Sequence, residues 1–234
     1  DYDDYKTYQV RKYGAHGTSH KYVSQAAAEY LGKKPEELKI ITCHLGNGSS
    51  ISAVDGGKCI DTSMGFTPLA GVPMGTRSGD IDAAAVEFLC RKKGMNIHDG
   101  LTYLNKKCGM LGISGVSSDY RDLTAAAKEG NYRAQLALNM FSYACKKYVG
   151  SYMAALGGLD VIVFTAGVGE NTPHIRASIL KDMEFFGIEI DEAKNNYKND
   201  GAIHEISKDS SRVKVLVIPT NEELVIARET AALL

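Results

Sequence analysis

Short apolar runs and longer mixed stretches alternate along the chain, and they predict strands and helices respectively. The predicted strands are residues 40–45, 50–54, 59–63, 160–165 and 213–218. The predicted helices are residues 18–31, 80–93, 97–107, 119–129 and 131–156, a helix opened by Pro173, and residues 221–234. The segments between them include residues 64–79 and 187–212, predicted as loops, and residues 166–171, predicted as a tight turn.

Polar and glycine residues at the ends of these segments indicate how the elements connect. Thr18 or Ser19 is predicted to cap the first helix, and Gly32 to end it. The dipeptide 47–48 (Asn-Gly) and the turn 55–57 (Asp-Gly-Gly) separate the first three strands, which is typical of a meander of hairpins. The order of helix, β-meander, helices and then β-α-β-α predicts one α/β domain with a mixed sheet and helical insertions.

Composition restricts the class of protein. The 234 residues are 44% hydrophobic, enough for a substantial core in one large or two small domains. Lys and Arg number 27 against 28 Asp and Glu, a balance that argues against a nucleic-acid partner. No apolar run approaches the ~20 residues that span a bilayer, so no membrane association is expected. The polar residues 1–13 carry no signal peptide and are expected to lie within a longer chain.

The cysteines favour a reducing compartment. There are five of them, an odd number, and none lies within four residues of another. This spacing argues against a disulfide scaffold and against a zinc knuckle, so we expect free thiols in a cytoplasmic protein.

Two glycine-containing turns follow predicted strands and suit phosphate binding. They are residues 44–50 (HLGNGSS) and 165–171 (TAGVGEN). Glycine lets backbone N–H groups approach phosphate oxygens, and a following helix N-terminus adds a favourable dipole. Each turn also has a plainer explanation. Asn47-Gly48 alone predicts a type I′ hairpin. The second turn lacks the third glycine of the dinucleotide fingerprint and the Gly-Lys-Ser/Thr of a P-loop.

Three further polar positions carry candidate chemistry. Arg77, in a glycine-flanked loop before a helix, is suited to an anion, although a surface arginine beside a helix cap is the commoner explanation. His16 and His20 have the spacing of a metal-binding pair, but a capping or hydrogen-bonding histidine is commoner. Glu222 or Glu223, after a strand, suits Mg²⁺ or the helix dipole. Together these parts match the needs of phosphoryl transfer.

Seven segments, in one order along nearly the whole chain, resemble acetate kinases. They are HGTSH (16–20), HLGNGSS (44–50), MGFTPL (64–69), MGTRSGDID (74–82), ISGVSSDYRDL (113–123), VFTAGVGEN (163–171) and PTNEEL (219–224). The resemblance implies the α/β, ribonuclease H-like fold of the actin, sugar kinase and heat-shock ATPase superfamily. It also implies that residues 1–234 are the C-terminal nucleotide-binding and dimerisation domain of a two-domain kinase. Residues 1–13 would be the connecting segment, and the N-terminal domain would be absent.

The resemblance also assigns roles. His16 and Arg77 are expected to stabilise the transition state of in-line transfer, and Glu222, in preference to Glu223, to bind Mg²⁺. Ala15 and Pro68 are expected to line the acyl pocket. The residues expected to bind ATP or ADP are His44, Leu45, Gly46, Asn47, Gly48, Asp119, Tyr120, Arg121, Gly167, Val168, Gly169, Glu170 and Asn171.

The implied activity is reversible phosphorylation of acetate by ATP, giving acetyl phosphate and ADP, in a homodimer. The absent domain carries the family's first phosphate loop, a carboxylate-binding arginine and a catalytic aspartate, so the chain alone is expected to be inactive. Ala15 departs from the family, which usually has Phe before HGTSH. Loss of that ring is expected to widen the acyl pocket toward propionate or butyrate, unless a neighbouring side chain fills the space.

Two other classes of function compete with this one. The chain is alternatively a non-catalytic nucleotide-binding and dimerisation module that works only with another chain. A ribonuclease H-like nuclease is discounted, because it needs carboxylates at strand centres where this sequence has Ile, Val and Phe.

Overall fold

The computed structural model describes residues 1–233 and contains α-helices and one six-stranded sheet. The strands are β1 (Lys39–Leu45), β2 (Ser49–Asp55), β3 (Lys58–Thr62), β4 (Val161–Thr165), β5 (His204–Glu205) and β6 (Lys214–Val217). The helices are α1 (Tyr2–Tyr8), α2 (Gly17–Tyr30), α3 (Ala83–Lys93), α4 (Ile97–Lys106), α5 (Gly109–Ser114), α6 (Tyr120–Lys128), α7 (Tyr132–Leu156), α8 (Ala166–Asn171), α9 (Pro173–Leu180), α10 (Glu192–Asn195) and α11 (Glu222–Ala231). No helix in this described part is long and apolar enough to cross a membrane.

The chain forms two compact units, each built from several segments. The first contains Asp1–Ala15, Asn47–Ser49 and Ser63–Ala144. The second contains His16–Gly46, Ser50–Thr62 and the chain from Cys145 onward.

The sheet lies in the second unit, apart from Ser49 at the start of β2, and its strand order is β3-β2-β1-β4-β6-β5. The central strands β1, β4 and β6 are parallel, whereas β2 with β3 and β5 with β6 are antiparallel. The five residues of β4 are all buried, as expected for a strand covered on both faces. Helix α2 packs on the sheet through Val23 and Ala27, which join Ile40, Val163 and Leu216 in a buried cluster.

The first unit is helical, and side-chain caps stabilise the N-termini of its helices. Asp82 accepts a hydrogen bond from the Ala84 N–H to cap α3, and Asp119 caps α6 through the Arg121 N–H. Tyr120, Leu123 and Phe141 contribute to its buried interior. The expected connecting segment contains α1, which has no buried residue.

Most predicted elements are confirmed, and the differences lie in a few separate segments of the chain. The predicted tight turn 166–171 is instead the six-residue helix α8, and helix α5 was not predicted. The segment 187–212 is not wholly loop, because it contains α10 and β5. The N-cap of α2 is His16, in a left-handed conformation with φ 65°, so the prediction of Thr18 or Ser19 was wrong. None of the five cysteines is in a disulfide bond.

Candidate active site

Three histidines come together in the second unit. His16 precedes α2, His20 lies in its first turns, and His44 lies near the end of β1. The rings of His16 and His44 are stacked with their centroids 4.0 Å apart, and the His20 ring lies 6.2 Å from that of His44. Only the strand-to-helix packing brings these distant positions together, since the sequence places His44 well apart from the other two.

Buried hydroxyl groups hydrogen-bond to the nitrogens of His16 and His20. Ser50 Oγ lies 2.8 Å from His16 Nδ1 and 2.7 Å from His20 Nε2. The other nitrogen of His20, Nδ1, lies 2.7 Å from Thr42 Oγ1. Ser50 and Thr42 are completely buried and His20 is nearly so, so water has little access to these hydrogen bonds. The predicted hydrogen-bonding explanation for His20 is therefore confirmed.

A second set of hydrogen bonds orients His44. Its Nδ1 lies 2.8 Å from Ser19 Oγ, and Ser19 Oγ lies 2.8 Å from Thr220 Oγ1. Ser19 thus orients a histidine ring instead of capping α2. Thr220 directly precedes Asn221, whose side chain caps α11, so this link joins the starts of two helices.

Burial keeps two of the rings neutral. It lowers the pKa of His20 to about 3, with the charges of His44 and His16 as smaller causes. The pKa of His44 falls to about 4, again through burial first and the neighbouring His16 second. A neutral imidazole carries one hydrogen, so each ring offers one donor and one acceptor. Among the described residues, no cluster of three or more His, Cys, Asp or Glu side chains is placed to hold a metal ion.

The conformation of His16 is itself unusual. Its φ of 65° lies in the left-handed region, which a residue with a side chain rarely adopts. Ala166, at the start of α8, has the same φ. Such conformations persist where surrounding contacts hold them, and they concentrate at functional sites.

The predicted nucleotide segment 167–171 forms most of α8. Gly167 is exposed, and a Cβ built there would meet no atom within 4 Å. Val168 and Gly169 are buried, Glu170 is half-buried and Asn171 is exposed. The segment therefore presents one open glycine while its middle packs into the unit.

Arg176, in α9, supports α8 by hydrogen bonds to its backbone carbonyls. Its side chain is 1% exposed, and its Nη1 donates to the carbonyls of Gly169 and Glu170 at 2.8 and 2.9 Å. The same guanidinium donates to Oδ1 and the backbone oxygen of Asn195 at 2.8 and 2.7 Å. Tyr197 adds a hydroxyl hydrogen bond to the Glu170 carbonyl. The segment predicted to be loop thus supplies the support for α8.

The remaining predicted residues of this unit lie at element ends. Glu222 is the first residue of α11 and is half-buried, whereas Glu223 is exposed. Within residues 1–233, no hydrogen bond or ion pair engages the Glu222 carboxylate. Leu45 is fully buried and Gly46 half-buried, so of these two residues only Gly46 has surface open to a ligand.

In the first unit, the loop carrying Arg77 is held through its backbone. Met74 N–H donates to the Arg77 carbonyl, and Met110 N–H donates to the Met74 carbonyl. Gly109, with φ 57°, lies so close that an added Cβ would stand 2.0 Å from the Met74 oxygen and 2.5 Å from the Arg77 oxygen. Only glycine fits this position without moving the loop.

Arg77 lies beside another predicted residue. Its Nη1 donates to the Pro68 carbonyl at 3.1 Å, and no described carboxylate pairs with it. The structure therefore brings the expected catalytic arginine and the expected pocket proline together. Ala15 is half-buried in the same unit.

Residues 47–48 and 119–121 also lie in the first unit. Asn47 accepts a hydrogen bond from the Gly75 N–H through its backbone oxygen, at 3.1 Å. Asp119 caps α6 and binds the exposed Arg121, with Arg121 Nη2 2.6 Å from Asp119 Oδ2, and this pairing lowers the pKa of Asp119 to about 2. Tyr120 is 5% exposed and packs edge-on against Phe141, so its side chain belongs to the core. Gly48 is half-buried.

Comparison with known proteins places this arrangement in a family. The sequence profile of the acetokinase family matches residues 1–228. The chain belongs to the acetokinase family. Acetate kinase of Caldicellulosiruptor saccharolyticus is 59% identical over 233 residues, and that of Acetivibrio thermocellus 60% over 232 residues. These matches cover 100% and 99% of this chain but 58% of each relative, so the chain spans little more than half their length.

Solved structures of an acetate kinase and a propionate kinase share the fold. The crystal structure of Porphyromonas gingivalis acetate kinase matches with a TM-score of 0.96 at 49% identity, covering 99% of this chain and 58% of that one. A propionate kinase from Francisella tularensis matches with a TM-score of 0.90 at 44% identity, covering 98% and 58%. The expected α/β fold of the actin, sugar kinase and heat-shock ATPase superfamily is confirmed.

Sequence reasoning missed the residues that support the site. Ser50 was noticed only within a glycine turn, and Thr42, Gly109 and Arg176 were not singled out. Helical spacing places Arg176 among the buried Ile175, Ile179 and Leu180 of α9, and an arginine in such an apolar stretch is the available signal. Nothing local marks Thr42 or Gly109, whose roles depend on partners far along the chain.

Proposed function

We propose that the complete protein containing this chain phosphorylates acetate with ATP, reversibly and by direct in-line transfer, giving acetyl phosphate and ADP. The observation that carries the proposal is the family match over residues 1–228. Residues 1–234 act as the C-terminal nucleotide-binding and dimerisation domain of a two-domain cytoplasmic enzyme. The proposed partners are acetate or acetyl phosphate, ATP or ADP, and a second copy of the chain.

His16 and Arg77 are the proposed transition-state stabilisers. During phosphoryl transfer, negative charge spreads over the three equatorial oxygens, and fixed donors and cations around them lower the barrier. The Arg77 guanidinium has no carboxylate partner among the described residues, so no ion pair within them competes with such an anion. His16 contributes a ring hydrogen, which its hydrogen bond to Ser50 orients.

The proposed nucleotide-binding residues are 44–48, 119–121 and 167–171. The open surface at Gly167 and the rigid support of α8 by Arg176 favour the last of these segments. Glu222 is the proposed Mg²⁺ ligand, because a half-buried carboxylate with no protein partner in the described chain suits a cation that retains water and phosphate oxygens. When bound with the nucleotide, Mg²⁺ would neutralise phosphate charge.

Calorimetric titration of the 234-residue chain with Mg-ADP tests the nucleotide site. We expect the unaltered chain to bind, and Gly167→Val to abolish binding while leaving the fold intact, because no protein atom lies near the new side chain. Gly150→Val is the matched control, since Gly150 is also helical with open space around it. No binding by a cooperatively folded chain, or equal binding by both variants, would contradict the assignment.

Catalysis tests a second part of the proposal. The chain by itself is expected not to turn over, because the family's carboxylate-binding arginine and catalytic aspartate are assigned to the domain outside it. Activity above background in a carefully purified sample would refute this. If the chain binds nucleotide but the full-length protein has no kinase activity, the alternative of a non-catalytic nucleotide-binding and dimerisation module is favoured. Light scattering of the chain tests the proposed dimer.

A propionate or butyrate kinase is the second candidate, and Ala15 is the observation that favours it. Ala15 replaces the family's usual aromatic residue, and the first unit holds it together with Pro68. In the full-length protein, Ala15→Phe is expected to lower kcat/KM for butyrate more than for acetate. An unchanged ratio would show that Ala15 does not set the size of the acyl pocket.

A further inference from the structure

A continuous row of hydrogen bonds runs from the interior of β1 to His16. It passes from Thr42 Oγ1 to His20 Nδ1 at 2.7 Å, from His20 Nε2 to Ser50 Oγ at 2.7 Å, and from Ser50 Oγ to His16 Nδ1 at 2.8 Å. Thr42 and Ser50 are fully buried and His20 is 4% exposed. These are all the hydrogen bonds that the Thr42, Ser50 and His20 side chains make within residues 1–233.

The number of hydrogens in this row limits its arrangements to two. His20 is neutral, because burial lowers its pKa to about 3, so its ring carries one hydrogen. The Ser50 hydroxyl also carries one hydrogen, and its acceptors among the described residues are the two imidazole nitrogens. It therefore donates to one ring and accepts from the other, since accepting from both would leave its buried hydrogen without a partner. The direction of one bond therefore determines the direction of the other two.

In the first arrangement, every group has a partner. The Thr42 hydroxyl donates to His20 Nδ1, His20 Nε2–H donates to Ser50, and the Ser50 hydroxyl donates to His16 Nδ1. His16 then carries its hydrogen on Nε2, as a donor.

In the second arrangement, all three bonds are reversed. His16 Nδ1–H donates to Ser50, Ser50 donates to His20 Nε2, and His20 Nδ1–H donates to Thr42. The hydrogen of the buried Thr42 hydroxyl then has no acceptor among the described residues. A buried donor without an acceptor costs free energy, so the first arrangement is favoured.

We propose that Thr42, His20 and Ser50 are positioning residues that hold His16 in the tautomer with its hydrogen on Nε2. The functional meaning of this inference rests on the proposed role of His16, since the Nε2–H tautomer offers a donor to a phosphoryl oxygen without a positive charge on the ring. The tautomer itself depends only on the geometry above.

Long-range ¹H–¹⁵N correlation spectra of the 234-residue chain, labelled at the histidine rings, test the proposal directly. His16 and His20 are assigned by comparison with the single variants His16→Gln and His20→Gln. Both rings are expected to show the Nε2–H pattern at neutral pH. A predominant Nδ1–H pattern for His16 in the unaltered chain would overturn the proposal without any further variant.

Thr42→Val removes the hydroxyl that sets the direction of the row and keeps the side-chain shape. The ratio of the two tautomers is expected to change by roughly tenfold in both His20 and His16, the size expected when one buried donor no longer discriminates between them. Thr42→Ser, which restores the hydroxyl, is expected to return both rings to the original pattern. A backbone ¹H–¹⁵N spectrum verifies that each variant is folded.

Ser50→Ala tests whether the effect passes through Ser50. In the double variant with Thr42→Val, the His20 tautomer is expected to change while His16 no longer responds to position 42. A His16 ring that ignores Thr42→Val while Ser50 is present, in a folded sample, would disprove the relay. These spectra need neither nucleotide nor catalysis, so the relay and the proposed kinase function can fail independently.

Discussion

Two six-residue helices, one in each unit, end with carbonyl groups held by an arginine. In the second unit, Arg176 donates to the carbonyls of Gly169 and Glu170 at the end of α8. In the first unit, Arg133 donates to the carbonyls of Gly112 and Ile113 near the end of α5, at 3.0 and 2.7 Å. The motif is the same, but Arg176 is 1% exposed and Arg133 is exposed.

The difference in exposure shows how burial increases the contribution of a polar contact to stability. Water competes for the acceptors of Arg133, so its loss exposes them to solvent. Arg176 is withdrawn from water, and that burial lowers its pKa from the ordinary value. Its removal leaves buried carbonyls without donors, which costs more than the hydrogen bonds contributed. Burial also lowers the pKa of His20 and His44 in the second unit, whereas charged groups of the first unit such as Arg121 are exposed.

The largest expected effect is the loss of stability of the second unit in mild acid. The folded-state pKa values of His20 and His44, about 3 and about 4, lie below the ordinary value of 6.5. As the pH falls below 6.5, the unfolded chain takes up protons that the folded chain cannot. The free energy of unfolding is therefore expected to fall by on the order of 4 kcal/mol between pH 7 and pH 5, measured by urea denaturation.

A histidine substitution separates this effect from general acid destabilisation. His44→Asn is expected to reduce the pH dependence by roughly half, because one of two titrating rings is removed. The same substitution at the exposed His98 of the first unit is the control. A pH dependence unchanged by His44→Asn would show that the buried rings do not cause it.

The next largest effect concerns glycines of the same two helices. Gly109→Ala in α5 is expected to lower the free energy of unfolding by roughly 3 kcal/mol, since its Cβ would meet two backbone oxygens at 2.0 and 2.5 Å and its φ is 57°. Gly167→Ala in α8, where nothing lies within 4 Å, is expected to be neutral or slightly stabilising. Equal thermal stability of the two variants would refute the close approach at Gly109.

Matched substitutions of Arg176 and Arg133 by methionine test the effect of burial directly. Arg176→Met is expected to cost about 2 kcal/mol or more, because it leaves the buried Gly169 carbonyl and both oxygens of Asn195 without this donor. Arg133→Met is expected to cost below about 1 kcal/mol, since water replaces its donors. Chemical denaturation measures both, and similar losses for the two variants would contradict the role assigned to burial.

The smallest effect is expected at an exposed charge pair of the first unit. The hydrogen bond from Arg121 lowers the folded-state pKa of Asp119 to about 2, below the ordinary 3.8. Its stabilisation is therefore present above pH 4 and lost as the pH falls toward 2. Because Arg121 is fully exposed and solvent screens the pair, Arg121→Gln is expected to leave the free energy of unfolding at pH 7 nearly unchanged. A larger loss in a denaturation curve would assign the pair more weight than solvent screening allows.

Prediction from the sequence succeeded where a local pattern was sufficient. The buried strand β4 follows from its unbroken apolar run, and Pro173 is found at the start of α9, where its missing N–H removes no helical hydrogen bond. It failed at residues 166–171, where glycines indicated a turn and the structure has a helix. Arg176 explains the difference, because it satisfies the carbonyl groups of a helix too short to stabilise itself.

In the candidate site too, local sequence patterns predicted some residues and missed others. The segments HGTSH, HLGNGSS and MGTRSGDID marked His16, His44 and Arg77 as candidates, and the resemblance added their expected roles. The hydrogen-bonding partners of these residues were not identified. Ser50, Thr42 and Gly109 are ordinary residues in their local context, and each becomes important through an atom contributed by a distant segment.

The sequence by itself determined the family, the succession of most helices and strands, and the residue types available for phosphate chemistry. These depend on short-range patterns of apolar, glycine and charged positions. Only the tertiary structure decided which nitrogen of His16 faces a hydroxyl, which arginine is buried, and which glycine has no room for a side chain. Such properties depend on distances between residues remote in sequence and on the exclusion of water, neither of which a local pattern records.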